Sequence, residues 1–131
     1  MILKPKRFGP VQVRLDGQGA VSFALSDTDP GQPHPPGDKP VLTLMASVGH
    51  CLVESIRIVA ARQGQVLAPF AITVHAEKSL DLPGRLQSLK CTVSGPVLAD
   101  PQAVPAIIAE AKTICTISNT LNAEVTLERA D

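Results

Sequence analysis

The chain has 131 residues, and its 12 Lys and Arg cancel its 12 Asp and Glu to a formal net charge of zero. That length fits one compact domain, so 1–131 is read as a single unit. Electroneutrality argues against a polyanion partner, and with no Trp, no Tyr and three Phe there are few rings for bases to stack on. Nucleic acid is therefore not an expected partner.

The opening Met1–Arg7 lacks the apolar stretch of a signal peptide, so an unexported, cytoplasmic protein is expected. Val11-Gln-Val-Arg-Leu15 alternates apolar and polar, the period of a half-buried strand. Asp16-Gly-Gln-Gly19 is a turn signal and Ala20–Leu25 alternates again, so 11–25 reads as a β-hairpin. Residues 27–40 carry prolines at 30, 33, 35, 36 and 40. This segment reads as an extended connector, either a plain linker or a flap over a site.

Asp38 suits a helix cap and Pro40 a first turn, so a helix is expected over 41–63 with Gly64 as its stop. It is apolar on most faces, which suits a buried central helix. The run Val41–Val59 still holds Ser47, His50, Cys51, Glu54, Ser55 and Arg57, a polar load that argues against a membrane span. Phe70–Lys78 and Leu86–Val93 read as two more strands, punctuated by Leu82-Pro-Gly-Arg85. Asp100-Pro101 opens a further helix reaching Lys112, residues 115–121 form a short helical turn, and Ala123–Leu127 a last strand. The order ββ–α–ββ–α–β is an α+β pattern with mostly antiparallel pairing, 70–128 forming the second half. A long helix that is apolar nearly all round needs cover that this many elements do not supply, which points to homodimerisation.

Three cysteines without a CxxC argue against a disulfide scaffold and a zinc site. His34, His50 and His75 fall on a loop, a helix and a strand with no metal-ligand spacing, and no GxGxxG, P-loop or GxSxG is present. Neither a metal nor a cofactor is expected. Ser47, Cys51 and Ser55 share one face of the long helix, with Glu54 beside Cys51. They form either a small site centred on a thiol or a buried cysteine with serines bonding back to the helix. A reactive cysteine needs a thiolate, and Cys51 lies too deep in its helix for the dipole to help. Arg14 and Arg7, which precede the connector, are the candidate activators. Cys115 opens the short helical turn. Cys91 lies on the strand face of Leu89 and Val93 and reads as core.

Leu44-Met-Ala-Ser-Val-Gly-His-Cys51-Leu resembles the central-helix signature of the OsmC/Ohr family. Thr113-Ile-Cys115-Thr-Ile-Ser118-Asn119-Thr-Leu121 resembles that family's second motif, a cysteine followed by a Ser-Asn pair. Leu82–Arg85 and the element order also fit. The resemblance covers 38–128 and, more loosely, the first hairpin. It implies an OsmC-like fold, antiparallel sheets around a long buried central helix, in an intertwined homodimer with sites at the subunit interface. It also implies reduction of small organic hydroperoxides. Cys51 would attack the peroxide, Cys115 would resolve the product as a disulfide, and a dithiol reductant, often lipoyl in type, would restore both. The family's peroxidase members carry a glutamate where this chain has Val41, and an arginine in the hairpin turn where it has Asp16–Gly19. A second function class therefore stands beside the first: a non-catalytic OsmC-like dimer that binds a small apolar ligand.

Overall fold

A computed structural model describes residues 4–81 and 83–130. Met1–Leu3, Leu82 of the Leu82–Arg85 motif, and Asp131 lie outside the described residues. Nine elements follow in order: β1 (Arg7–Leu15), β2 (Val21–Ala24), α1 (Pro40–Arg62), β3 (Phe70–Lys78), β4 (Leu86–Ser94), a 3₁₀ turn (Pro101–Ala103), α2 (Val104–Ile114), α3 (Thr116–Thr120) and β5 (Glu124–Arg129).

The strands form one sheet in the order β2-β1-β3-β4-β5. The expected antiparallel sheets are thus a single mixed sheet. The β1–β2, β1–β3 and β3–β4 pairs are antiparallel, but β5 runs parallel to β4. The reason is the helical crossover through α2 and α3, which returns the chain to the same end of the sheet before β5 begins.

Alternation gives the sheet two unlike faces. Val11, Val13 and Leu15 of β1, Ile72 and Val74 of β3, and Leu89, Cys91 and Val93 of β4 are buried on one face. Gln12, Arg14, Thr73, His75, Glu77, Ser88 and Lys90 lie on the other, which is polar. Helix α1 packs across the apolar face against β1 and β3, and α2 and α3 flank it.

Lys39 precedes the first turn of α1 with no side-chain cap, so the expected Asp38 cap is absent. Thr43 instead donates its hydroxyl to the carbonyls of Pro36 and Lys39, fastening the first turn to the incoming chain. The far end closes as expected at Gly64, whose φ is 66°. Gln65 N–H donates to Ala60 and Gly64 N–H to Ala61, a glycine-stopped helix end. The second helical region begins later than expected. Asp100 accepts from Gln102 N–H and starts a 3₁₀ turn, and α2 proper runs from Val104, which keeps Pro105 in its first turn.

The 23 residues of α1 include 10 buried ones, from Met45 to Ala60. By length and apolarity alone α1 could cross a bilayer, but 56% of its most apolar stretch is buried inside the fold. Cover does not extend all round. Leu44, Ser47, Cys51, Glu54 and Ile58 follow one another at helical spacing, and each is half-buried or exposed. The opposite side meets the sheet at Gly49. A Cβ built there would lie 2.8 Å from Val13 Cγ2 and 3.1 Å from Val74 Cγ2. Replacing glycine inside a helix ordinarily stabilises by about 1 kcal/mol. Here two stiff, buried β-branched neighbours block the methyl, so Gly49→Ala is expected to destabilise by about 1–3 kcal/mol. Chemical denaturation of the two proteins checks the sign.

Candidate functional site

Cys51 sits midway along α1 on the uncovered stripe and is half-buried, while Cys115 is wholly buried at the junction of α2 and α3. The two are 64 positions apart in the chain, yet their thiols are neighbours close enough for Cys115 to perturb the ionisation of Cys51. The crossover that makes β5 parallel accomplishes this, since it lays α3 beside α1. All three cysteines are free thiols.

Two other groups face the Cys51 sulfur. The backbone N–H of Ile117, in the first turn of α3, and the Ser55 hydroxyl lie near enough to favour its thiolate. Ser55 is itself buried and donates to the Cys51 carbonyl at 2.7 Å. That bond is the back-bonding expected of a structural serine, and the hydroxyl also lies beside the sulfur. The part of Ile117 left no mark on the sequence, because a backbone N–H is common to every residue but proline.

The balance of these groups holds the Cys51 thiol above its ordinary range. Burial is the main cause, and the neighbouring Cys115 thiol adds to it. The Ile117 N–H and Ser55 hydroxyl pull the other way without reversing it. No cation is among the groups that perturb it. Cys91 lies deep in the core on β4, where burial pushes its thiol up to about 12, with Cys115 adding to the rise.

The two candidate activators are elsewhere. Arg14 and Arg7 project from the polar face of the sheet, opposite α1. Arg7 pairs with Glu77 at 3.4 Å. Arg14 donates to the Gln12 side chain at 2.6 Å, to the Asp29 carbonyl at 2.8 Å and to the Ser26 carbonyl at 3.0 Å. Its role in this chain is to clamp the start of the connector. Gln12 adds a bond to Asp27, and Gln32 pairs with Phe23 on β2. Asp29 accepts from the N–H groups of Gly31 and Leu25, which hold its carboxyl below the usual carboxylate range. The first half of the connector is therefore fastened along β1 and β2 and does not form a flap over Cys51. The reason is alternation: Arg14 lies between inward-facing Val13 and Leu15, so it must point outward.

The remaining site residues divide. Glu54 follows Cys51 by one turn, but its Oε1 engages His50 at 3.5 Å and Arg57 at 3.4 Å. Arg57 in turn reaches the Gly19 carbonyl at 3.3 Å, and His50 meets the Phe23 ring edge-on. Ser47 is exposed one turn before Cys51. Ser118 and Asn119 shape the turn that presents Cys115: Ser118 donates to the Cys115 carbonyl at 3.2 Å, and the Asn119 side chain donates to Thr113 at 2.9 Å. Among the described residues no three His, Cys, Asp or Glu side chains converge on a metal position.

These contacts have measurable consequences. Alkylation requires the thiolate, so a raised Cys51 thiol reacts slowly at neutral pH and accelerates as pH rises through the alkaline range. Cys115→Ala removes one raising influence but leaves burial, so the midpoint of pH-dependent alkylation at Cys51 is expected to fall relative to wild type. Arg14→Ala is expected to leave that midpoint where it was and to make 26–31 the first site cut in limited proteolysis. A shift in the Cys51 midpoint with no change in cleavage would contradict the clamp.

Comparison with known proteins agrees with this architecture. The sequence pattern of OsmC-like proteins matches residues 33–129. No curated protein matches the chain significantly. Among solved structures, an OsmC-like protein of unknown function from Vibrio cholerae superposes with a TM-score of 0.59 at 13% identity, covering 98% of this chain and 100% of that one. An organic hydroperoxide resistance protein from Legionella pneumophila gives 0.55 at 18% identity, covering 95% and 98%. The organic hydroperoxide resistance protein OhrB of Bacillus subtilis gives 0.54 at 16% identity, covering 99% and 100%. At these identities the likeness to each is one of fold. The sequence match spans most of the chain and agrees with the fold found here, and on that ground the chain belongs to the OsmC-like protein family.

Proposed function

We propose that this chain is a cysteine-based hydroperoxide reductase running a thiol–disulfide cycle between Cys51 and Cys115. The observation that carries the reading is that two thiols distant in the chain become neighbours, close enough for Cys115 to perturb the ionisation of Cys51, one half-buried on the open helix stripe and one wholly buried. The names of the Legionella and Bacillus proteins, which share the fold, lie in the same direction.

The cycle follows from that geometry. Cys51 loses its proton, and its sulfur attacks the outer oxygen of a small organic hydroperoxide. The O–O bond breaks, Cys51 becomes a sulfenic acid, and the alkoxide leaves as the alcohol after taking up a proton. The Cys115 thiol then attacks the Cys51 sulfur and expels water, giving the Cys51–Cys115 disulfide. Two thiols have been oxidised and one peroxide reduced. A buried second thiol next to the first captures the sulfenic acid before it oxidises further. A dithiol reductant of lipoyl type restores both thiols, in a reducing compartment such as the cytoplasm.

Ionising Cys51 is the difficult step, because the groups that face it include no cation. A homodimer supplies the missing cover. The stripe from Leu44 to Ile58 is left open by the described residues, and a second copy packed there buries the Cys51 site further and sets beside it side chains that the single chain keeps elsewhere. The lack of a cation also favours a second reading, a non-catalytic dimer that binds a small apolar ligand.

Reduced protein treated with cumene hydroperoxide and mapped by non-reducing peptide mass spectrometry separates the two. The expected outcome is a Cys51–Cys115 disulfide and one peroxide consumed per pair. Cys51→Ser is expected to abolish consumption, and Cys115→Ser to leave a sulfenic acid trappable at Cys51. If both thiols survive excess peroxide, the binding reading replaces the catalytic one.

A further inference from the structure

The polar face of the sheet carries a hollow of about 510 Å³ over β1, β3 and β4. That volume lies within the range of small-molecule sites, roughly 300–1,000 Å³. Alternation puts it on the side of the sheet away from α1 and the thiol pair.

Its origin is a slip in the strand ladder. Arg7 stands opposite Glu77 and Phe8 opposite Ala76, but the next paired residues are Val11 and Val74. Gly9 and Pro10 therefore share the place opposite His75, a bulge that bends β1. Glycine is required there, because Gly9 has a φ of 103° and an added Cβ would lie 2.8 Å from the Val74 carbonyl oxygen. Neither bulge residue carries a long side chain, so the surface beside His75 stays open on that flank.

The charges around the opening are uneven. Lys90 stands directly opposite His75 on β4, and Arg7 lines the β1 side. The one carboxylate of the lining, Glu77, is already engaged, by Arg7 at 3.4 Å and by the Gln87 side chain at 3.4 Å. Lys90 forms no ion pair among the described residues, and its partner on β5 is the neutral Thr126. Cross-strand pairs are stabilised by opposite charges, and a lysine facing a second nitrogen base forgoes that gain. An anion over His75 restores it. The ammonium and the imidazole N–H can both donate to it. The Arg7 side chain, 80% exposed despite Glu77, has further N–H groups to offer in a fork suited to phosphate oxygens. On the same rim Glu77 and the Ser88 hydroxyl can pair with hydroxyl groups. The set is complementary to a molecule that is anionic at one end and bears hydroxyls along its body.

We infer that this hollow binds a small phosphorylated polyol, its phosphate held by Lys90, His75 and Arg7 and its hydroxyls by Glu77 and Ser88.

Calorimetric titration at low ionic strength tests the inference with glycerol 3-phosphate, glucose 6-phosphate, glucose and inorganic phosphate. At least one of the two esters is expected to bind about tenfold or more tightly than inorganic phosphate, and glucose to give no measurable heat. The His75→Gln/Lys90→Gln double variant is expected to lose about tenfold or more in affinity for that ester. Lys39→Gln, at an exposed lysine outside the hollow, is expected to keep it. Both replaced side chains are exposed, so the double variant keeps the fold, which its melting temperature verifies. If it melts early, Lys90→Gln alone is expected to lose about threefold or more. Cys51→Ser is expected to bind the ester as the wild type does, so the result stands apart from the thiol chemistry. Equal affinity for inorganic phosphate and both esters, unchanged ester affinity in the variants, or no binding of either ester overturns the proposal.

Discussion

At Gly49 the long helix comes so close to the sheet that a single added carbon would lie 2.8 Å from Val13. The rest of the molecule is arranged around that contact. A helix held so near a sheet cannot roll, because the valines of β1 and β3 rise on either side of the glycine. Once Gly49 faces the sheet, Met45, Leu52, Val53 and Ile56 enter the core, and helical geometry sends Leu44, Ser47, Cys51 and Glu54 outward on the other side. The position of Cys51 is thus fixed by a residue two places before it. The chain then lays α3 alongside α1 through the crossover into β5 and sets Cys115 near the half-buried thiol of Cys51.

Proximity and charge have been solved to different extents in this fold. Two sulfurs meet, and an N–H and a hydroxyl attend one of them, but burial outweighs both and the thiol stays above its ordinary range. The arginines nearest in sequence to the hairpin are not in reserve for it. They lie on the far side of a sheet that no side chain can pass through, and Arg14 is saturated with the backbone of the connector. On α1 itself the one nearby cation, Arg57, is held by Glu54 and by the Gly19 carbonyl. Ionisation of Cys51 therefore depends on what covers the open stripe of α1, and this links the proposed chemistry to the proposed homodimer.

A connector fastened to β1 and β2 and ending in a run of prolines delivers the chain to Pro40 without a capping carboxylate. The polar sheet face, whose Gln12 and Arg14 hold that connector, also carries the hollow at His75 and Lys90. The hollow and the thiol pair therefore lie on opposite sides of the sheet.

Much of this was legible in the residues because it is local. Alternation marked the strands at 11–15, 70–78 and 86–93, a glycine marked the end of the long helix, and the two cysteine motifs carried the family resemblance that paired Cys51 with Cys115. The strand face it shares with Leu89 and Val93, together with burial preference, placed Cys91 in the core. The rest depended on contacts through space, which no periodicity encodes. The sequence could not show that β5 runs parallel, since that follows from how two short helices cross the sheet. It could not show that the connector is clamped, nor that Ile117 offers its N–H, a group every residue but proline shares. Arg14 in the first hairpin stood as a candidate activator of Cys51, and the assembled sheet decided its face, because the burial of Val13 and Leu15 sets the direction of the residue between them.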